Sequence, residues 1–458
     1  MLWLLVLSWL ASPALERVAG AAEAPPRPNI VFLLADDLRF DALGAAGNTL
    51  IQTPNIDRLA TQGCRFANHF VTTSICCVSR ASILSGQYAR RHGIKDFGQP
   101  LSPAACSQTY PALLHAAGYR TGLVGQLGVG KEIPPGMFDD HKTFTSHGAY
   151  FEPGDPTHMT ARIGNRAIEF IETCAPSKPF YLSVDFTAPH ADDGAPREFP
   201  PDARDESLYS DAVIPAPVGA DEATFRLLPD FVQRSEGRRR WKPRYATPAM
   251  FAATVKDYYR LITGVDREVG RIVAALSAGN LAENTIVVVS SDNGFFLGER
   301  GMADKWLMYE PSIRVPLVIV DPRLPAANRG RRIDAITLNI DLAPTLLDFA
   351  GVAIPATMQG RSLRPLLAAA PGARPPADWR TDFFYEHHTF PEVIPASEGV
   401  RTADWKYIRY VEPNPVVEEL YDLVGDPAEL HNLALDKAHQ PTLDRLRARW
   451  NELRQTAR

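Results

Sequence analysis

Two cysteines and an arginine open the stretch richest in chemistry, Ser74-Ile75-Cys76-Cys77-Val78-Ser79-Arg80-Ala81-Ser82-Ile83-Leu84-Ser85-Gly86. It reads as a short helix. Thr72, Thr73 and Ser74 are able to cap its start, Ile83 and Leu84 give it an apolar face, and Gly86 ends it. A thiol at a helix start sits in the positive field of unpaired amides, and Arg80 adds to that field. The expectation is a lowered thiol pKa and a place for an anion. The helix start does not choose between Cys76 and Cys77, and adjacent cysteines also serve as small buried hydrophobes.

A second group of candidates is made of oxygen. Asp36 and Asp37 follow the apolar run Asn29 to Ala35, and Asp292 and Asn293 follow the β-branched run Thr285 to Ser291. Adjacent carboxylates repel unless they face water or share a cation. In an open α/β sheet, ligands gather at the carboxyl ends of strands. Asp36, Asp37, Asp292 and Asn293 form an all-oxygen set, which suits Ca²⁺ or Mg²⁺ better than zinc or copper. No cysteine pair has CxxC spacing, so a zinc site is not expected. His190 lies beyond the run Tyr181 to Phe186, and Lys305 precedes Val315 to Val320. A single histidine or lysine of this kind is more often structural, so both gain weight only beside the carboxylates.

These residues need a scaffold. Asn29 to Ala35 is apolar throughout, as in a strand buried on both faces near the middle of a parallel sheet. A further strand, Thr121 to Val124, runs into Gly125-Gln126-Leu127-Gly128. Helical spacing recurs over 111–118, 159–174, 255–277 and 338–349. The alternation predicts a large doubly wound α/β domain, its sheet mixed or parallel, with helices on both faces. Residues 191–248 break the rhythm and carry Arg238-Arg239-Arg240-Trp241. Two readings stand there, an insertion lining a site for an anionic substrate and a solvated loop.

A Pro/Ala-rich linker, 368–377, leads to short strands near 382–388, 399–402 and 405–410 and a terminal helix near 440–454. This predicts a smaller α+β domain with a short antiparallel sheet. The boundaries are a signal peptide at 1–24, a catalytic domain at 27–367 and the α+β domain at 378–458. Glu386, His387 and His388 either line the mouth of the site and select substrate or face outward from a strand.

Composition narrows the class. A net charge of -5 leaves no polycationic surface, so nucleic acid is not an expected partner. Leu2 to Leu10 is too short to span a bilayer, and small residues follow at Ala19-Gly20-Ala21-Ala22. The expectation is an exported protein, periplasmic or secreted, with no transmembrane segment in the mature chain. The five cysteines are an odd number, so at least one is outside any internal disulfide.

Several motifs in one order carry a resemblance across nearly the whole mature chain. They are Pro28-Asn29-Ile30-Val31 through Asp36-Asp37, Thr53-Pro54-Asn55-Ile56-Asp57-Arg58-Leu59-Ala60, the Cys76 to Gly86 stretch, Asp292-Asn293-Gly294, Met308 to Leu317, and Glu419-Leu420-Tyr421-Asp422-Leu423. The chain resembles the formylglycine-dependent sulfatases of the alkaline phosphatase superfamily. The resemblance implies that a maturation enzyme oxidises Cys76 to formylglycine. One hydroxyl of the hydrated aldehyde attacks sulfur, and the other expels the sulfate. It implies Ca²⁺, with Mg²⁺ as the alternative, on Asp36, Asp37, Asp292, Asn293 and residue 76. Arg80 would orient the nucleophile, His190 would contact the ester and protonate the leaving oxygen, and Lys305 would bind sulfate oxygens. The implied substrate is a sulfated sugar or glycan.

The chain departs from the family pattern at two places. Gly125-Gln126-Leu127-Gly128 stands where the family has Gly-Lys-x-His, and Val78 stands where the maturation motif has Pro. Gln126 and nearby Lys131 are therefore further candidates for substrate binding. Two other readings suit these residues: a homologue that binds anionic glycans without turnover, and a phosphoester or phosphonate hydrolase on the same scaffold.

Overall fold

The computed structural model describes residues 27–144, 149–412 and 414–458, so the expected signal peptide lies outside the described residues. The main sheet has eight strands: β1 (Asn29–Ala35), β2 (Cys64–Phe66), β3 (Arg120–Gly125), β4 (Asp140–Thr143), β5 (Phe180–Asp185), β6 (Thr285–Ser291), β7 (Leu317–Val320) and β8 (Arg331–Ile333). Their spatial order is β8-β2-β7-β6-β1-β5-β3-β4. β1 runs parallel to both β5 and β6, while β7 is antiparallel to β6 and β2. The sheet is mixed and mostly parallel, with β1 at its centre as the apolar run predicts.

Successive side chains of a strand point to opposite faces. Val31, Leu33 and Ala35 join one core, with Ile163, Leu261 and Ile262 of the helices α3 (Met159–Glu172) and α5 (Pro248–Ala278). Ile30, Phe32 and Leu34 join the other, with Ala81, Ile83 and Leu84 of α2 (Cys76–Ser85) and Leu346 of α6 (Leu342–Phe349). The remaining helices used below are α1 (Pro54–Gln62), α4 (Glu236–Tyr245) and α7 (Gln440–Thr456). Both faces of β1 are thus dry, which is why its sequence does not alternate.

Register then delivers the chemistry. Ala35 pairs with Ser291, so Asp36 and Asp292 leave the sheet side by side at its carboxyl edge. Leu34 pairs with Asp185, which places a third carboxylate at the same edge.

Some local expectations change. The predicted helix over 338–349 is split, with Thr337–Leu338 extended, a single tight turn at Asn339–Asp341, and the helix proper from Leu342. The stretch 191–248 contains short helices at Glu222–Arg226 and Asp230–Gln233 ahead of α4. All five cysteines are free. No helix among the described residues is long and apolar enough to cross a membrane.

The carboxyl-terminal part is a four-stranded antiparallel sheet, β9 (Asp382–His387), β10 (Ser397–Thr402), β11 (Trp405–Tyr410) and β12 (Glu418–Asp422). One face packs on α7 through Val400, Tyr407, Leu443 and Leu446. The other sets Phe383, Tyr385 and Tyr410 against Phe70, Met308 and Tyr309 of the main body.

Inside this sheet His387 is fully buried, and neither ring nitrogen has a hydrogen-bond partner. Burial pushes its pKa down to about 3. The ring stays neutral when folded and takes a proton near pH 6.5 when unfolded, so its contribution is whole above 6.5 and is lost as pH falls toward 3. Urea denaturation of the wild type and His387→Leu between pH 6 and 4 should show their stability gap moving toward the variant by about 1.4 kcal/mol per pH unit. Parallel pH profiles would refute a buried neutral imidazole.

Candidate active site

α2 begins at Cys76 and has no side-chain cap. Of the residues expected to cap it, buried Thr73 Oγ1 has no hydrogen-bond partner, and the other two turn elsewhere. Ser74 Oγ donates to the Ser312 carbonyl at 2.8 Å, and Thr72 Oγ1 lies 3.3 Å from Asn339 Oδ1. Gly86 does end the helix, with φ of 65°.

The structure separates the two thiols. Cys77 packs with Ile75, Val78, Trp306 and Ile394, and burial pushes its pKa up to about 12. Cys76 Sγ donates instead to Asp36 Oδ1 at 3.1 Å. Its pKa is raised well above the usual thiol range, first by burial and then by Asp36. This reverses the expectation of a lowered pKa. Burial first, and then the carboxylates of Asp36, Asp292 and Asp37, outweigh the nearby lysine.

Asp36, Asp37, Asp292 and Cys76 offer ligand atoms within 4.8 Å of one another, all of them buried. Arg80, also buried, ties the group together. Its Nε donates to Asp292 Oδ2 at 2.7 Å, Nη2 to Asp36 Oδ2 at 3.2 Å, and Nη1 to the Gln126 carbonyl at 2.8 Å and Asp185 Oδ2 at 3.3 Å. Lys305 Nζ holds both oxygens of Asp37, at 2.5 and 2.7 Å. His190 Nδ1 lies 2.7 Å from the Ala191 carbonyl, and its Nε2 is 3.8 Å from Asp37 Oδ2. Burial and like charge push Asp292 up to about 7. Burial also raises Asp185 to about 6, with Arg80 opposing it.

The donor set fits a hard cation. Asn293 Nδ2 donates to Asp37, while its buried Oδ1 has no hydrogen-bond partner. An orphaned amide oxygen beside three crowded carboxylates is what an oxygen-coordinated divalent ion satisfies.

Gln126 belongs to this site, its Nε2 donating to Asp36 Oδ2 at 2.9 Å. Lys131 does not join it and is exposed. Glu386 and His388 are also elsewhere. They line a neighbouring pocket with Arg90 and Glu398, where Arg90 Nε donates to Glu386 at 2.9 Å and His388 Nε2 is 3.1 Å from Glu398. His387 points away into the packed sheet. Strand alternation separates these three side chains, and none lines the cavity above Cys76.

That cavity, of about 470 Å³, has Ile75, Cys76, His190, Lys305, Trp306 and Arg240 among its lining residues. Arg240 comes from α4, so the insertion does reach the site. It is ion-paired with Asp193, Glu236 and Asp304. Lys305 is flanked by two residues in the left-handed region, Asp304 at φ 63° and Trp306 at φ 80°. Such backbone is strained for a bulky residue and persists only where surroundings enforce it. Tyr385 Oη supplies part of that force, donating to the Trp306 carbonyl at 2.6 Å.

Sequence reasoning missed Asp185, Asp304 and Trp306 as site residues. Asp185 carried the same signal as Asp36, a carboxylate at the end of an apolar strand.

A doubly wound sheet with a buried carboxylate, arginine and lysine cluster at its carboxyl edge defines a hydrolase of the alkaline phosphatase-like superfamily. Residues 28–352 match the sulfatase family model, and 298–456 match that of the carboxyl-terminal region of N-sulphoglucosamine sulphohydrolase. The chain belongs to the sulfatase family. It is 32% identical to an N-acetylglucosamine-6-O-sulfatase of Bacteroides thetaiotaomicron, over 90% of this chain and 83% of that one. A solved structure of a protein in complex with its substrate, D-glucosamine-2-N,6-O-disulfate, matches with a TM-score of 0.81 and 28% identity, over 94% of this chain and 98% of that one. A phosphonate monoester hydrolase of Agrobacterium radiobacter matches with a TM-score of 0.80 over 94% of this chain and 96% of that one, but at 23% identity, a likeness of fold alone.

The glycine at 128 is tied to Arg80. It has φ of 73°, and a Cβ there would lie 2.5 Å from Arg80 Cδ. Gly128→His, which supplies the side chain the family pattern has, is therefore expected to displace the guanidinium. The variant should melt lower and lose activity, with a cost of about 1–3 kcal/mol for the overpacking. Faster turnover at unchanged melting temperature would show that Arg80 has room to spare.

Proposed function

We propose that the protein hydrolyses the sulfate ester of a glucosamine-type sugar, free or within a glycan. The observation that carries this reading is the floor of the cavity. There Cys76 meets three buried carboxylates, an orphaned amide oxygen, Arg80 and Lys305. The similarity to an N-acetylglucosamine-6-O-sulfatase and to a protein bound to a sulfated glucosamine supports the sugar class.

Asp36, Asp37, Asp292 and Asn293, with residue 76, would hold Ca²⁺. Such an ion lowers the pKa of a hydroxyl bound to it and offsets charge on a transferring group. Conversion of Cys76 to formylglycine would supply the geminal-diol nucleophile.

The chain's own residues do the rest. Arg80 fixes the carboxylates through four acceptors and cannot swing. Lys305 brings a buried positive charge to the cavity wall, where it stabilises sulfate oxygens as negative charge develops. The Ala191 carbonyl only accepts, so His190 Nδ1 carries a proton and Nε2 is the atom that exchanges one with the leaving oxygen. Ile75, Trp306 and Ile394 give the cavity an apolar lining that strengthens these charges by excluding water. We place the reaction outside the cytoplasm, a reading supported by the leader-like segment that precedes residue 25.

The test joins maturation to turnover. Mass spectrometry of the peptide containing Cys76 should find formylglycine, and the protein should release sulfate from N-acetylglucosamine 6-sulfate. Lys305→Ala should lower kcat by roughly 10²–10³-fold. Cys76→Ala should remove the activity. Unmodified Cys76 with no sulfate release would favour the non-catalytic reading, to which Gln126 and Val78 already point. Faster hydrolysis of the matched phosphate ester would favour a phosphohydrolase.

A further inference from the structure

Two phenylalanines line the Cys76 cavity without belonging to the hydrolytic set, Phe97 and Phe390. They come from distant parts of the chain. Phe97 lies on the loop that follows the α2 region, and Phe390 lies between β9 and β10 of the smaller sheet. Their rings stack, with centroids 6.4 Å apart and planes within 12° of parallel.

Neither ring is there for the core. Phe97 is 38% exposed and Phe390 37%, which forgoes much of the gain that burying a phenyl ring brings. Phe390 also sits at φ 53°, in the left-handed region. That backbone is an outlier for a bulky side chain, and such outliers gather at ligand-binding loops. The loop is held in place nonetheless. Val393 and Ile394 amides donate to the Phe390 carbonyl at 3.1 and 2.9 Å, and the Glu236 amide donates to the Val393 carbonyl at 2.9 Å. The start of α4 therefore sets where Phe390 stands.

The lining also carries charge, through Asp193, Glu236, Arg239 and Arg240. A cavity with both aromatic faces and ion-paired polar groups matches a pyranose, which has C–H faces and a rim of hydroxyl and amino substituents. We infer that Phe97 and Phe390 form an aromatic wall that receives the C–H face of the sugar whose sulfate ester is directed at Cys76. Asp193, Glu236, Arg239 and Arg240 receive its polar substituents. This deepens the sulfatase reading and rests on it, since it names the subsite for the leaving group. It also gives the smaller sheet a share in specificity.

The test separates ring from sulfate. Cys76→Ser protein, with calcium present, is titrated calorimetrically with N-acetylglucosamine 6-sulfate and with inorganic sulfate. Phe390→Gly removes the ring while keeping a residue at ease with positive φ, and Phe97→Ala removes the other ring. Each should weaken the sugar sulfate by about tenfold while leaving inorganic sulfate within about twofold. If inorganic sulfate binds and neither variant changes the sugar affinity, the wall is refuted and the sulfatase reading stands. If both ligands weaken equally, the rings act on the integrity of the site and the wall is again refuted. If the Cys76→Ser protein binds neither ligand, the sulfatase reading falls and the wall with it.

Discussion

Three aspartates crowd into one dry space, and much of the rest follows from that. Asp36, Asp37 and Asp292 are all buried and face one another. In a low dielectric such charges cannot all ionise without positive partners. Arg80 and Lys305 supply them, while burial first and Asp36 next still push Asp292 upward. The residual strain is what a divalent ion relieves. A site of this kind is costly to the fold, so the sheet must hold it rigidly. Central, parallel, in-register β1 and β6 do so by presenting Asp36 and Asp292 from neighbouring strand ends.

Arg80 explains how the chain accommodates its departures from the family pattern. Its guanidinium spends its donors on Asp36, Asp185, Asp292 and the carbonyl of Gln126. Backbone at 126 is thus part of the cluster whatever the side chain, and the Gln126 amide adds a neutral donor to Asp36. Gly128 is where the loop comes against the arginine stem. With glutamine at 126 and glycine at 128, the lysine and arginine side chains on the cavity wall are Lys305, Arg239 and Arg240.

The legible parts of this site were those with a local signature. Apolar runs ending in Asp36-Asp37 and Asp292-Asn293 make both the sheet and the oxygen cluster at its edge legible, because strand burial and strand ends are read within seven residues. Asp185 has the same signature but reads as strand interior, since Phe186 continues the apolar pattern. The thiol pKa moves opposite to the sequence expectation because a helix start is visible in sequence, and burial among three converging carboxylates is not. In the sequence, Glu386 and His388 fit either the mouth of the site or the outward face of a strand. Their true neighbours, Arg90 and Glu398, come from elements that only the tertiary fold brings together. Trp306 is illegible as a lining residue for the same reason, whereas Arg240 lies in the stretch that one of the two sequence readings places at the site.

The smaller sheet then ceases to be an appendage. Tyr385 of β9 donates its hydroxyl to the Trp306 carbonyl and accepts from the Ser74 amide, 3.3 Å away. One side chain thereby braces Ser74, two residues before the Cys76 helix, and the strained segment carrying Lys305. Arg90, soon after that helix, is clasped by Glu386 and Glu398 of β9 and β10. The packed face of Phe383, Tyr385 and Tyr410 makes these braces stiff, because none can shift without opening a dry core. The carboxylate cluster and the cavity wall are thus set by one body, with the smaller sheet bracing both through Tyr385 and through its grip on Arg90.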